Sequence, residues 1–208
     1  MFGIQQFDVF ISTAIILNLA PGSDTFYILG RSVAQGRGAG IASVLGISTG
    51  SLIHTLAAAL GLSALLMASA SAFLVVKLLG AAYLIFLGIR MFFSQPEKVA
   101  VPSNFSPSRL LSIYRQGLLT NILNPKVALF FMALVPQFIA TDSPSKFFAF
   151  MVLGLSFIAT GTLWCFCLVF FSSLLTERIK KSAGSINILN RTAGVLFVFL
   201  GIKLAVTK

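Results

Sequence analysis

Asn18-Leu19-Ala20-Pro21-Gly22-Ser23-Asp24 is the stretch on which the fold turns. It lies inside an apolar run, residues 7–29, that is long enough to cross a bilayer, whose hydrocarbon core needs about 20 apolar residues per helix. Proline removes a backbone donor and clashes with the preceding turn. Glycine beside it lets the chain unwind easily. Backbone groups freed at membrane depth are tolerated only when buried in protein or lining a wet cavity. The first span is therefore predicted to break near Pro21-Gly22, with Asn18, Ser23 and Asp24 around the break.

The rest of the chain supports a membrane setting. Apolar residues make up 57% and charged residues 10%, with a mean hydropathy of +0.98, whereas soluble domains carry about 25% charged residues. In water such a chain would expose association-prone apolar patches. Further apolar runs cover residues 41–67, 73–93, 117–139, 147–175 and 188–206, and a polar segment, residues 94–115, divides the third from the fourth. Six spans are predicted. The gap at residues 68–72 has no charge, so a five-span reading stays open. The opening MFGIQQFDVF has no positive n-region and no small-residue cleavage site follows, so the first helix is expected to remain in the mature protein.

The net charge of +10 does not point to nucleic acid. Lysine and arginine fall in short gaps between apolar runs, where a bilayer places them, and build no basic face. Ten of the fifteen lie in or beside the gaps after spans one, three and five: Arg31, Arg37, Arg90, Lys98, Arg109, Arg115, Arg178, Lys180, Lys181 and Arg191. The positive-inside rule puts these gaps in the cytoplasm and both termini outside.

The two halves resemble each other. Phe86-Leu87-Gly88-Ile89-Arg90 returns as Phe199-Leu200-Gly201-Ile202-Lys203, and Asn18-Leu19-Ala20-Pro21 as Asn121-Ile122-Leu123-Asn124-Pro125 with one insertion. A duplicated unit of three spans must enter the membrane upside down the second time, which is a common construction for secondary transporters. The expected fold is an all-α membrane protein of six transmembrane helices in two inverted three-helix repeats. They form one domain, with residues 1–93 and 116–208 as the repeats and residues 94–115 as a cytoplasmic loop.

Interrupted apolar segments at corresponding positions of two halves point to a binding site. Asp24 is the one carboxylate far inside an apolar run, and Lys126 follows the second interruption at Asn124-Pro125. An ionised group at the bilayer centre costs about 2.5–3.5 kcal/mol on insertion scales, so it needs a partner or a purpose. Two readings stay open: a structural Asp24–Lys126 ion pair, or recognition of a zwitterion with Asp24 on its ammonium and Lys126 on its carboxylate. His54, halfway along span two, is either a proton-passing imidazole or a histidine donating one hydrogen bond to a neighbouring helix. The candidate pathway thus comprises Asn18, Pro21, Gly22, Ser23, Asp24, His54, Asn121, Asn124, Pro125 and Lys126.

Cys165 and Cys167 are two positions apart. On a helix they point about 200° from each other and cannot bridge. They lack the C-x-x-C spacing of a thiol carrier, which leaves packing as their expected role. A membrane thiol-redox carrier is thus a weaker alternative. So is a metal-ion transporter, which would want several carboxylates or histidines at one site. No catalytic constellation or Walker-type phosphate loop occurs, so neither an enzyme, nor ATP coupling, nor a cofactor is expected.

Leu19-Ala20-Pro21-Gly22-Ser23-Asp24-Thr25, Gly30-Arg31-Ser32, Gly36-Arg37-Gly38-Ala39-Gly40, Gly46-Ile47-Ser48-Thr49-Gly50, residues 78–93 and the Asn124-Pro125-Lys126 segment resemble the LysE/RhtB family of bacterial amino-acid exporters. The resemblance covers nearly the whole chain. It implies export of amino acids such as homoserine, threonine, leucine or lysine through the bacterial inner membrane, driven by the proton gradient. The family commonly has Pro-Gly-Pro where this chain has Pro21-Gly22-Ser23, which puts a hydroxyl near the site. One deep Asp with one deep Lys favours a neutral amino acid. A single unit and a homodimer are both compatible with the pattern.

Overall fold

The computed structural model describes residues 2–62, 64, 70–93, 108–140, 142–172 and 183–206. Among them the chain is all-α. Helices α1 (Phe7–Leu19) and α2 (Ser23–Gln35) are followed by α3 (Arg37–Ala57), which a π turn extends through Ala58–Leu62. After α4 (Ala70–Phe93) and α5 (Leu110–Ile122) comes α6 (Pro125–Leu129), which runs on through a π turn, Phe130–Leu134, and a 3-10 turn, Val135–Phe138. The last two are α7 (Lys146–Phe170) and α8 (Ala183–Val206).

Among the described residues, two continuous helices are long and apolar enough to cross a membrane, Arg37–Leu62 and Lys146–Phe170. Two bent pairs are long and apolar enough only when each is taken as one unit. α1 and α2 meet at 50°, and α5 and the α6 segment at 48°. α4 and α8 have 24 residues each, about 36 Å at 1.5 Å per residue. Of the uncharged break expected at residues 68–72, residues 70–72 belong to α4, and residues 68 and 69 lie outside the described ones.

The helices outrun the apolar runs that announce them. α2 continues to Gln35, so Arg31 belongs to a helix and not to a gap. Its side chain is buried and donates to Gln35 Oε1 at 2.8 Å and to Gln116 Oε1 at 2.6 Å. α5 begins at Leu110, which brings Arg115 into helix as well, and Arg191 lies within α8. Of the loop expected at residues 94–115, residues 94–107 lie outside the described ones. The chain turns from α2 into α3 at Gly36, whose φ of 80° suits glycine best.

Two apolar cores form, and the broken spans are shared between them. One gathers Phe10 and Leu17 of α1 with Phe130 and Phe131 of the α6 segment, Phe150 and Phe157 of α7, and Leu84 and Phe197 of α4 and α8. Its rings interlock: Phe10 meets Phe138 edge-on at 5.2 Å, and Phe130 stacks on Phe157 at 4.6 Å. Aromatic pairs of this kind contribute about 0.5–1.5 kcal/mol beyond their burial. The other core joins Tyr27, Ile28 and Leu29 of α2 to Val44 and Ile47 of α3, Ile113 of α5, and Leu168 and Val169 of α7. α1 and α6 therefore belong to one core and α2 and α5 to the other. Among the described residues, α7 runs through both without a break, and α3 does so through its π turn, which gives Ala58 and Ala59 to the first core.

α4 and α8 pack chiefly on each other. A Cβ on Gly88 would stand 2.6 Å from the Gly194 carbonyl oxygen, and one on Gly194 would stand 2.6 Å from that of Gly88. Small residues let helices approach closely where lipid gives no hydrophobic drive to associate. The outer surface suits lipid, with large apolar side chains such as Leu79, Leu163 and Leu123 well exposed.

Candidate functional site

The site sits where the two cores meet. Pro21 and Gly22 separate α1 from α2, and Asn124 separates α5 from α6. The second break is capped by its own side chain, because Asn124 Oδ1 accepts the Lys126 backbone N–H at 3.0 Å and Pro125 occupies the first helical position. Proline there loses nothing, since that N–H has no partner inside a helix. The first break has no such device: Gly22 precedes α2 without a side-chain cap.

Each break carries one charged side chain in the first turn of its second half. Asp24 accepts the Asn121 amide at 2.8 Å, and the Ser23 hydroxyl lies 3.5 Å from it. Asn121 is buried and also accepts from Ser51 Oγ at 3.3 Å. Lys126 Nζ donates to the carbonyls of Ala20 at 2.9 Å and Leu17 at 3.2 Å. Asp24 and Lys126 thus each bond to the opposite broken span, and both line one cavity of about 40 Å³. By that measure the space accommodates only a few water molecules.

Asn18 lines the same cavity and donates to Thr160 Oγ1 at 3.2 Å and to the Phe157 carbonyl at 3.5 Å. With Trp164 it also borders an apolar groove of about 260 Å³, walled by Ile15, Leu19, Leu163 and Cys167. His54 stands apart from the cavity's walls. Its Nε2 lies 3.2 Å from the Asn121 carbonyl oxygen, and its ring stacks on Phe131 at 6.0 Å. Pro125 and Ser23 are exposed, while Pro21 and Gly22 are half-buried.

The family described as LysE type translocator matches residues 15–208. The chain belongs to this family. A LysE type translocator is a transporter and not an enzyme, and this one is a multi-pass membrane protein. It is 31% identical to the uncharacterized membrane protein YrhP of Bacillus subtilis over 93% of this chain and 95% of the relative. An uncharacterized membrane protein of Vibrio cholerae is 30% identical, with 96% of each chain covered. The leucine efflux protein of Klebsiella pneumoniae is 26% identical over 98% of this chain and 96% of that protein. No solved structure matches the chain.

Both continuous helices wall the translocator's cavity, and the sequence reading passed most of these residues over. α3 contributes Ile47, Ser48 and Ser51, and α7 contributes Thr162, Trp164 and Cys165. Ser48 Oγ and Thr162 Oγ1 lie 2.9 Å apart and join the two helices across the site. The Trp164 indole N–H is buried with no hydrogen-bond partner among the described residues. Cys165, expected to be packing, is a free thiol in the wall. The available signal was the spacing of Ser48, Ser51 and Thr55, three hydroxyls on one face of α3.

Proposed function

We propose that this translocator exports small neutral amino acids, leucine-like or threonine- and homoserine-like, from the cytoplasm across the bacterial inner membrane in exchange for protons. Six spans in two inverted halves would alternate access to the cavity between the broken helices. The observation that carries the reading is the placement of Asp24 and Lys126 in the walls of one cavity, each bonded elsewhere and neither bonded to the other. A carboxylate and an ammonium held apart in this way match the two ends of an α-amino acid. Asp24 receives the substrate ammonium. Lys126 has three donors, of which two reach Leu17 and Ala20, so one remains for the substrate carboxylate.

Apolar wall residues Leu17, Ile47, Phe157 and Ile158 favour an uncharged side chain. The leucine efflux relative is consistent with that preference. The cavity of about 40 Å³ holds only a few water molecules, so loading a leucine would need the broken helices to swing. Their two bends supply joints at matching positions in the halves.

The decisive experiment measures efflux of preloaded radiolabelled leucine, threonine and homoserine from cells or vesicles with an imposed proton gradient. The parent is expected to accelerate loss of at least one of them, and Asp24→Asn at equal expression to reduce that rate to background. Proton-coupled export unimpaired in Asp24→Asn would remove Asp24 from the mechanism. Absence of efflux in the parent for every amino acid tried would remove the function.

A further inference from the structure

In an unbroken helix the carbonyl of residue i accepts the N–H of residue i+4. For Leu17 that partner would be Pro21, and for Asn121 it would be Pro125. Neither proline has an N–H. Both breaks therefore leave a carbonyl without its helical donor, at the same distance from the proline, in the middle of the bundle. At that depth an unmet carbonyl is costly.

Both carbonyls are met, and in each case by a side chain of the other half of the chain. Lys126, from the second half, donates to Leu17 at 3.2 Å and adds Ala20 at 2.9 Å. His54, from the first half, stands 3.2 Å from the Asn121 carbonyl oxygen through Nε2. A carbonyl only accepts, so Nε2 is the donor and carries the proton. The Asn121 carbonyl also receives the Asn124 backbone N–H at 3.0 Å through the tightened turn, so it depends on its visitor less than Leu17 does. His54 has no place in the cavity wall, and export as proposed above gives it no task. Its ring lies flat against Phe131 of the opposite broken span, which fixes the direction of its donor.

We propose that Lys126 and His54 are reciprocal positioning residues. Each completes the proline break of the opposite half, so the geometry of either joint depends on the half that does not contain it. The two joints are thereby coupled through side chains across the inverted repeat. This assignment goes beyond the export reading and uses only the paired carbonyls, prolines and donors.

The test is pair-specific suppression, read as the thermal unfolding midpoint of full-length protein purified in detergent without any substrate. Lys126→Met and His54→Leu are each expected to lower the midpoint, Lys126→Met by more. His54→Gln, which keeps an N–H donor, is expected to stay nearer the parent than His54→Leu. Pro21→Ala returns a backbone N–H to the reach of Leu17, so it should recover most of what Lys126→Met loses and nothing of what His54→Leu loses. Pro125→Ala should do the reverse. Where a single variant yields no folded protein, recovery in the matched double against the mismatched double is the reading. No recovery in either matched double, or recovery by either proline change regardless of partner, overturns the proposal. Because no amino acid is present, the outcome is separate from whether the protein exports one.

Discussion

The two breaks bend by nearly the same angle, 50° and 48°, yet they are built differently. The α5–α6 break closes on itself, with Asn124 holding the first turn of α6 and its own N–H tightening onto Asn121. The α1–α2 break has glycine where the cap would be, and Lys126 from the other half meets its loose carbonyls. One joint is held mainly by its own residues, with His54 added from the other half, and the other relies on Lys126. The bend angle thus says little about what maintains it, and the first joint is the one that a change at Lys126 would disturb more.

Among changes that leave both charges in place, altering the residue that links the two breaks should have the largest effect. Asn121→Leu removes the amide donor to Asp24 and the acceptor for Ser51. Loss of a hydrogen bond to a charged group costs about 1.5–3 kcal/mol, so export is expected to fall roughly 10–150-fold. Efflux kinetics at equal expression check this, and a rate near the parent's would show that the joints work independently. Asn124→Ala removes the local cap of the second break. A lost N-cap costs about 1 kcal/mol, which lowers the unfolding midpoint by about 2–4 °C for a chain of this size.

Gly22→Ala probes the first break more gently. The added Cβ would stand 3.3 Å from Lys126 Nζ, and Gly22 has extended backbone with φ of −157° that any residue adopts. The ammonium at the end of a flexible chain shifts to accommodate it, so export should drop only a few-fold. Ser23→Pro should change least. Ser23 is the first residue of α2 and exposed, a position where proline is favoured. An unchanged midpoint, or a gain of up to about 1 kcal/mol, is expected in thermal unfolding. A clear loss would mean that the Ser23 hydroxyl or N–H helps hold the softer joint.

The breaks themselves were legible in the sequence because proline acts within one turn of its own chain. Pro21-Gly22 and Asn124-Pro125 mark interruptions wherever the rest of the molecule lies. The helix ends were less legible. Hydropathy reports the lipid crossing, while backbone hydrogen bonding carries α2 on to Gln35 and starts α5 at Leu110. Arg31 read as a gap residue since a lone sequence does not show Gln35 and Gln116 waiting to receive its guanidinium. Ser48, Ser51, Thr162, Trp164 and Cys165 were missed as wall residues because each is ordinary in an apolar helix until a second helix faces it.

Composition and spacing by themselves determined a membrane chain, its apolar runs, the two interrupted ones, and the pair of charges beside the interruptions. These are properties of the chain against lipid, settled residue by residue through transfer cost and the missing proline donor. Tertiary structure alone decided that each charge bonds to the opposite broken span, that His54 serves the Asn121 carbonyl, and that α3 and α7 close the cavity. Partners for a buried polar group come from whichever helix lies nearest in space, and helix neighbours in a bundle are set by packing that no local pattern encodes.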